Sequence, residues 1–348
     1  MSYFQQFGGK VRPEDLSRFE RSPQWDGDKF INRSETVMDI SFRTLPGLLK
    51  EQFSDRASRS PDRPLPIRSF DPATFGRALS QPKFVWYGHS VLLLQLNGKN
   101  LLIDPMLGAD AAPIAPFSSK RFSESSLSVI DALPPIDAVL ITHDHYDHLD
   151  LASIQKLKKK VNTYFVALGV SRHLEAWGIP KQKIREFDWW DSHEYFGIKL
   201  TFTPSRHFSG RGPFDRAKSL WGGWVFQTAD HQVYWSGDGG YDAHFVEVGK
   251  KFGAFDWAFL ECGQYNERWH PIHMFPEESV QAGLDVHAKM GMAVHWGGFA
   301  LALHSWQDPI ARFVKSAGEQ SLPIVAPEIG EVVIMGEEPR LHAWWENL

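Results

Sequence analysis

A single cysteine, Cys262, stands among 348 residues. It excludes an intramolecular disulfide framework and a thiolate-rich metal cluster, and it fits a reducing compartment. Long apolar runs are missing too. No stretch reaches the ~20 uninterrupted apolar residues of a spanning helix, and Met1 to Lys10 holds no apolar segment of signal-peptide length. A cytoplasmic protein is expected, with peripheral membrane contact as the one membrane role left open. Nor is there an excess of positive charge: 37 Lys and Arg stand against 42 Asp and Glu, a net charge of −5. That balance argues against nucleic acid as a partner. The short run Lys156, Lys158, Lys159 and Lys160 reads as the solvated end of a helix. Internal repeats and low-complexity tracts are absent.

What is present suits a globular protein: 43% of the residues are hydrophobic, enough for a core in one large or two ordinary domains. Residues 1–82 carry Pro13, Pro23, Pro46, Pro61, Pro64, Pro66, Pro72 and Pro82 and few apolar runs, so they are expected to be an extended arm packing on a body formed by residues 83–348. Within that arm Leu45, Leu48, Leu49 and Phe53 recur at helical spacing. Their apolar face would be covered by the body, or by lipid or a partner.

From Phe84 the pattern changes to short strands, Phe84 to Tyr87, Val91 to Leu96 and Leu101 to Ile103, with a turn at Asn97-Gly98. The stretch Gly108 to Pro135 is irregular and long, as loops that line sites tend to be. Beyond it, Ile136 to Ile141 reads as a buried strand. Helical text at Leu151 to Lys160 and Ser171 to Gly178 then alternates with strands at Tyr164 to Leu168, Lys199 to Phe202, Trp224 to Gln227, His231 to Ser236, Trp257 to Leu260 and Met292 to Trp296. A further helix opens at Pro276 with Glu277 and Glu278 in its first turn, and the spacing places Lys289 near its end and Gly291 as its stop. The alternation predicts an α/β fold.

The most informative segment is His143-Asp144-His145-Tyr146-Asp147-His148, directly after the strand at Ile136 to Ile141. Imidazole and carboxylate together suit zinc and its first-row neighbours. A solvated polar turn is the alternative, and it leaves other residues unexplained. His207, Asp238 and His295 each follow a strand and sit among small or turn residues. If those strand ends share one sheet edge, His143, His145, Asp147, His148, His207, Asp238 and His295 converge. That set is too large for one catalytic zinc and suits two ions sharing a carboxylate. His89 and Asp104 are expected to orient ligand imidazoles through hydrogen bonds.

These residues also resemble the metallo-β-lactamase superfamily of hydrolases, through Thr142 to Asp150 and the order of His207, Asp238 and His295. A narrower similarity is to the branch that hydrolyses N-acyl-phosphatidylethanolamines as a phospholipase D. It runs through Trp86-Tyr87-Gly88-His89-Ser90, Asp104-Pro105, Leu133-Pro134-Pro135, Asp188-Trp189-Trp190, Leu220-Trp221-Gly222 and His295-Trp296-Gly297, and it spans roughly Phe84 to Leu303. The resemblance implies a four-layer αββα sandwich with two zinc ions at one edge. It assigns His143, His145 and His207 to one ion, Asp147, His148 and His295 to the other, and Asp238 to both. Another first-row divalent metal is the alternative occupant.

The function expected from this is dizinc cleavage of a phosphodiester in an N-acyl-phosphatidylethanolamine-like phospholipid by a metal-bridging hydroxide. Asp147 or Asp238 would serve as general base. His273, just before the Pro276 helix, would serve as leaving-group acid or else be an ordinary loop histidine. The same site would also suit a lactone, another ester or a small soluble phosphodiester as substrate. A metal-bound scaffold or sensor without turnover is the reading from outside enzymology.

Overall fold

The computed structural model describes residues 3–38, 58–77, 81–112, 118–337 and 341–348. Strands β1 (Lys83–Trp86), β2 (Leu92–Leu96), β3 (Lys99–Ile103), β4 (Ile136–Ile141), β5 (Val161–Ala167) and β6 (Ile184–Phe187) lie in one sheet. Strands β7 (Ser192–Tyr195), β8 (Ile198–Thr203), β9 (Gly223–Gln227), β10 (Gln232–Trp235), β11 (Trp257–Glu261) and β12 (Gly291–Val294) form a second. β13 (Val332–Ile334) returns to the first sheet as an edge beside β1. Both sheets are mixed. β1 to β3 is an antiparallel meander, whereas β3 to β6 run parallel. In the second sheet β7 to β10 alternate, and β10, β11 and β12 run parallel.

The sheets pack face to face through aromatic side chains. Phe84 of β1 meets Phe259 of β11 edge-on at 4.9 Å, and Phe187 of β6 meets Trp224 of β9 at 5.0 Å. Helices pack on the sheets, the Pro276 helix against β11 and β12 and the Ser171 helix against β6, the layered α/β arrangement expected above. Strands β2 and β11 are buried at every residue, consistent with text that is apolar except at Gln95 and Glu261 and with cover on both faces.

The N-terminal segment lies on this body. Phe19 is fully buried and clusters with Trp25 and Phe30, and Arg12 reaches Glu175 at 2.8 Å. The helical face of Leu45, Leu48, Leu49 and Phe53 falls outside the described residues, as does Phe117 of the long loop. The rest of that loop is not wholly irregular, since a short helix forms at Val129–Ala132.

Three helices end earlier than expected. The second helix stops at Ala176, and the first stops at Leu157, before the lysine run ends. The Pro276 helix ends at Asp285, six residues short of Gly291, which instead opens β12. His287 takes the left-handed conformation at φ 57° and closes a Schellman cap, with His287 N–H on Leu284 O at 2.9 Å and Ala288 N–H on Gly283 O at 2.9 Å. A histidine in the place glycine usually holds hid that stop. Helices His244–Phe252 and Asp308–Gln320, and strands β6, β7 and β13, were not expected. Among them β6, β7 and β13 lie at sheet edges, and β6 and β7 carry few apolar residues.

Candidate metal centre

The parallel run of β10, β11 and β12, with β8 running the same way two strands over, delivers its C-terminal ends to one edge. His207, Asp238 and His295 project from those ends. The end of β4 brings the His143 to His148 turn to the same place from the other sheet. Backbone bonds stitch the two edges together: His89 N–H donates to Trp296 O at 2.7 Å and His295 N–H to His89 O at 3.0 Å. His89 and His295 both sit at positive φ, 56° and 68°, a cost that such a cross-sheet junction holds in place. Asp238 follows Gly237 at φ 64°, where an added Cβ would lie 2.2 Å from Gly222 O.

All seven proposed ligands come together. His143 Nε2 lies 2.9 Å from His145 Nδ1, which lies 3.2 Å from His207 Nε2. On the other side, Asp238 Oδ2 stands 3.0 Å from His148 Nε2, 3.2 Å from His295 Nε2 and 4.0 Å from His207 Nε2. Asp147 Oδ2 is 3.5 Å from His148 Nε2 and 3.9 Å from His295 Nε2. The ligand atoms of His143, His145 and His207 all lie within 4.8 Å of one another, and those of His89, Asp147, His148 and His295 do likewise. Asp238 groups with His143 and His148, and again with His207 and His273.

Outer partners decide which ring nitrogen faces inward. Thr142 Oγ1 spends its hydrogen on Asp104 Oδ2 at 2.7 Å, so at 3.0 Å it accepts from His143 Nδ1–H. His207 Nδ1–H donates to the Ile272 carbonyl at 3.0 Å, and His148 Nδ1–H to Asp104 Oδ2 at 2.9 Å. In each case Nε2 is left for the centre, the second-neighbour control usual around metal-binding imidazoles. His295 Nε2 is buried without a hydrogen-bond partner, and an ion is the natural complement of such an atom. The donor set of imidazoles and carboxylates fits a first-row divalent metal.

Electrostatics agree for four of the imidazoles but not for His148, whose extra proton a metal would have to displace. Burial holds His143, His207 and His295 well below the ordinary imidazole range and His145 at about 4, so all four are neutral and can donate lone pairs. Burial pushes Asp238 up to about 6. For His148, burial is outweighed by Asp238, Asp147 and Asp104, which raise it.

Other residues fall into definite places. Asp104 holds His148 and Thr142, and His89 Nε2 donates to Asp147 Oδ2 at 2.9 Å; His89 also stands close enough to belong to the ligand group. Asp144, inside the motif, turns away from the centre. It accepts from Gly210 N at 2.7 Å, Ser219 Oγ at 2.5 Å, His173 Nε2 at 3.1 Å and Arg172 at 3.3 Å. Sequence reasoning missed these partners, Asn32 and Glu261, because each approaches from a distant segment without a motif of its own. His273 stacks on His295 with ring centroids 5.4 Å apart.

A cavity of about 490 Å³ lies between residues 64–70 and 124–132, and none of the seven ligands lines it. Among the described residues no helix is long and apolar enough to cross a membrane.

Known proteins are similar to this chain to different extents. The sequence profile of the beta-lactamase superfamily domain matches residues 99–296. An uncharacterised protein of Mycobacterium tuberculosis is 36% identical over 331 residues, 94% of this chain and 88% of its own length. The N-acyl-phosphatidylethanolamine-hydrolyzing phospholipase D 1 of Caenorhabditis elegans is 32% identical over 230 residues, covering 62% of this chain and 64% of that enzyme. In fold, the chain is similar to Igni18, a metallo hydrolase of Ignicoccus hospitalis, with a TM-score of 0.57 and 19% identity over 74% of this chain and all of that one. With the profile spanning the whole run from β3 to His295, this chain belongs to the metallo-β-lactamase superfamily.

Proposed function

We propose that the protein is a dizinc hydrolase that cleaves a phosphodiester bond in an N-acyl-phosphatidylethanolamine-like phospholipid. The observation that carries this reading is the position of Asp238 Oδ2 between two nests of donors, 3.0 Å from His148 and 4.0 Å from His207. In this reading His143, His145 and His207 hold one ion, Asp147, His148 and His295 the other, and Asp238 both. Two such ions would supply Lewis-acid charge and lower the pKa of a water shared between them.

The chain itself supplies orientation and proton handling. Asp238 and Asp147 are the two candidates to take a proton from the attacking water, since both carboxylates stand inside the donor cluster. His273 has a ring nitrogen within 4.8 Å of the ligand atoms of His207 and Asp238, within reach of a leaving oxygen. The likeness to the Caenorhabditis elegans enzyme supports the choice of phospholipid.

The test combines metal analysis of purified protein with product detection by mass spectrometry, using vesicles of N-acyl-phosphatidylethanolamine, a lactone, a carboxylic ester and a soluble phosphodiester. Two equivalents of zinc and release of N-acylethanolamine that chelation abolishes are expected. Turnover of the lactone, ester or soluble diester alone would overturn the substrate. No turnover by fully loaded protein would favour a scaffold or sensor, and two equivalents of another metal would replace zinc.

A further inference from the structure

One buried acid plays no part in the chemistry above. Glu261 ends β11 with no exposed surface, and among the described residues His273 is its only ion-pair partner. Its carboxylate collects three donors: Met274 N–H on Oε2 at 3.0 Å, and Gly263 N–H at 3.4 Å and His273 Nδ1–H at 3.1 Å on Oε1. The backbone is pinned as well. Glu261 N–H donates to Ser236 Oγ at 2.9 Å, and Ser279 Oγ–H donates to Glu261 O at 2.6 Å. Ser236 also opens the Ser236-Gly237-Asp238 turn, so the strand end that carries Glu261 is tied to the one that carries Asp238.

A carboxyl buried without Lys or Arg is an expensive choice at a strand end, and burial pushes it well above the ordinary carboxyl range. Packing alone would be served by leucine. What the carboxyl does that leucine cannot is hold a histidine ring that stands against His295 on one side and His207, at 5.2 Å, on another.

We propose that Glu261 is a positioning residue for His273, keeping Nδ1 in the carboxylate bond so that Nε2 is the nitrogen offered to the reacting bond. This rests on the hydrolytic reading of the site given above. When the pair carries two protons, Nε2 bears one. That proton passes to the departing alkoxide oxygen as the electron pair of the breaking P–O bond moves onto it. The pair then holds one proton at Nδ1, and Nε2 is reprotonated from water.

The test uses metal-loaded protein with Glu261→Leu, Glu261→Gln and His273→Gln. Two substrates are compared: N-acyl-phosphatidylethanolamine, whose alkoxide needs a proton, and bis(p-nitrophenyl) phosphate, whose phenolate does not. Glu261→Leu should lower kcat on the phospholipid about 100-fold and on the nitrophenyl diester at least tenfold less steeply, the difference expected when general-acid assistance is lost. Glu261→Gln keeps an acceptor oxygen and should recover part of the phospholipid rate.

Two readouts are independent of turnover. Zinc content should match wild type, and ¹⁵N-histidine spectra, with His273 assigned by His273→Gln, should lose the Nδ1–H pattern in Glu261→Leu. Equal loss on both substrates, or an unchanged His273 pattern, would overturn the proposal. Loss of a zinc equivalent would too, since it would make Glu261 part of a metal-binding group with His273 and His295. If wild type cleaves neither substrate the functional reading fails on its own, and the spectra still decide whether Glu261 holds the ring. Should Glu261→Leu not fold, Glu261→Gln carries the comparison.

Discussion

Asn32 grips His207 by the backbone from 175 residues away: its Nδ2 donates to the His207 carbonyl at 2.7 Å, and its Oδ1 accepts from the His207 N–H at 3.1 Å. Trp221 Nε1 shares that Oδ1 at 3.1 Å. A candidate metal ligand beyond a strand end is thus fixed at its backbone by the N-terminal segment and at its ring by Ile272 O. The segment that reads as a plain arm therefore helps to shape the metal centre.

Replacing Asn32 by alanine leaves both polar groups of His207 without those partners and should destabilise the fold by about 1–3 kcal/mol. Metal affinity should fall about tenfold, as for loss of other outer supports of metal ligands. Competition with a chromophoric chelator reads the affinity and calorimetry reads the stability; wild-type affinity would show the clamp to be idle.

Asp144→Ala is expected to be the more damaging change. It removes the acceptor of four donors and strips buried Arg172 of its contact with Asp144. Removing one side of such a buried pair typically costs about 3–5 kcal/mol. A thermal midpoint within a degree or two of wild type would contradict this account.

Gly263→Ala tests the steric side of the centre. A Cβ there would lie 2.2 Å from the His295 carbonyl oxygen, so the backbone that carries His295 must move. Metal bound per chain should fall while far-ultraviolet circular dichroism stays close to wild type; full metal occupancy would show that the loop gives way without cost.

Acid should destabilise the metal-free protein. Burial lowers His89 and His145 to about 4 and His173 and His244 to about 3 in the folded chain. An unfolded histidine titrates near 6.5. Below about 6.5 the unfolded state therefore binds protons that the folded state refuses, and stability drops as pH falls towards 4. Asp238, Glu261, Glu186, Asp188 and Asp215, raised by burial, and His148, raised by its carboxylate neighbours, work in the opposite sense. His143, His193, His207, His273, His295 and His304 are also held low, however, and the lowered histidines outnumber the opposing groups. Urea midpoints of chelated protein at pH 7, 6 and 5 should decline in that order, and a flat series would refute the sign.

Much of the centre was legible from its chemistry. His143 to His148 announced a metal because few other uses concentrate so many imidazoles and carboxylates, and β4 was readable at Ile136 to Ile141 as a run that is apolar at every position but Asp137. His207, Asp238 and His295 could be picked out because each follows a strand. Edge strands were harder: β7, Ser192–Tyr195, alternates exposed and half-buried residues with little apolar text. Helix Asp308–Gln320 did carry a signal, with Ile310, Phe313 and Ala317 buried at helical spacing, but it lay beyond the motifs that guided the reading.

Residue type and local order were enough to establish what kind of centre this chain builds, since the ability of an imidazole or carboxylate to bind metal is intrinsic to the side chain. Which nitrogen faces inward, which acid turns away and which residue holds a ring in place were decided only when distant segments met. Asp144 and Asp147 are three positions apart and chemically identical, yet one accepts from Arg172 and His173 while the other faces His148 and His295. Hydrogen bonds act over about 3 Å, and only the folded chain sets which groups stand that close.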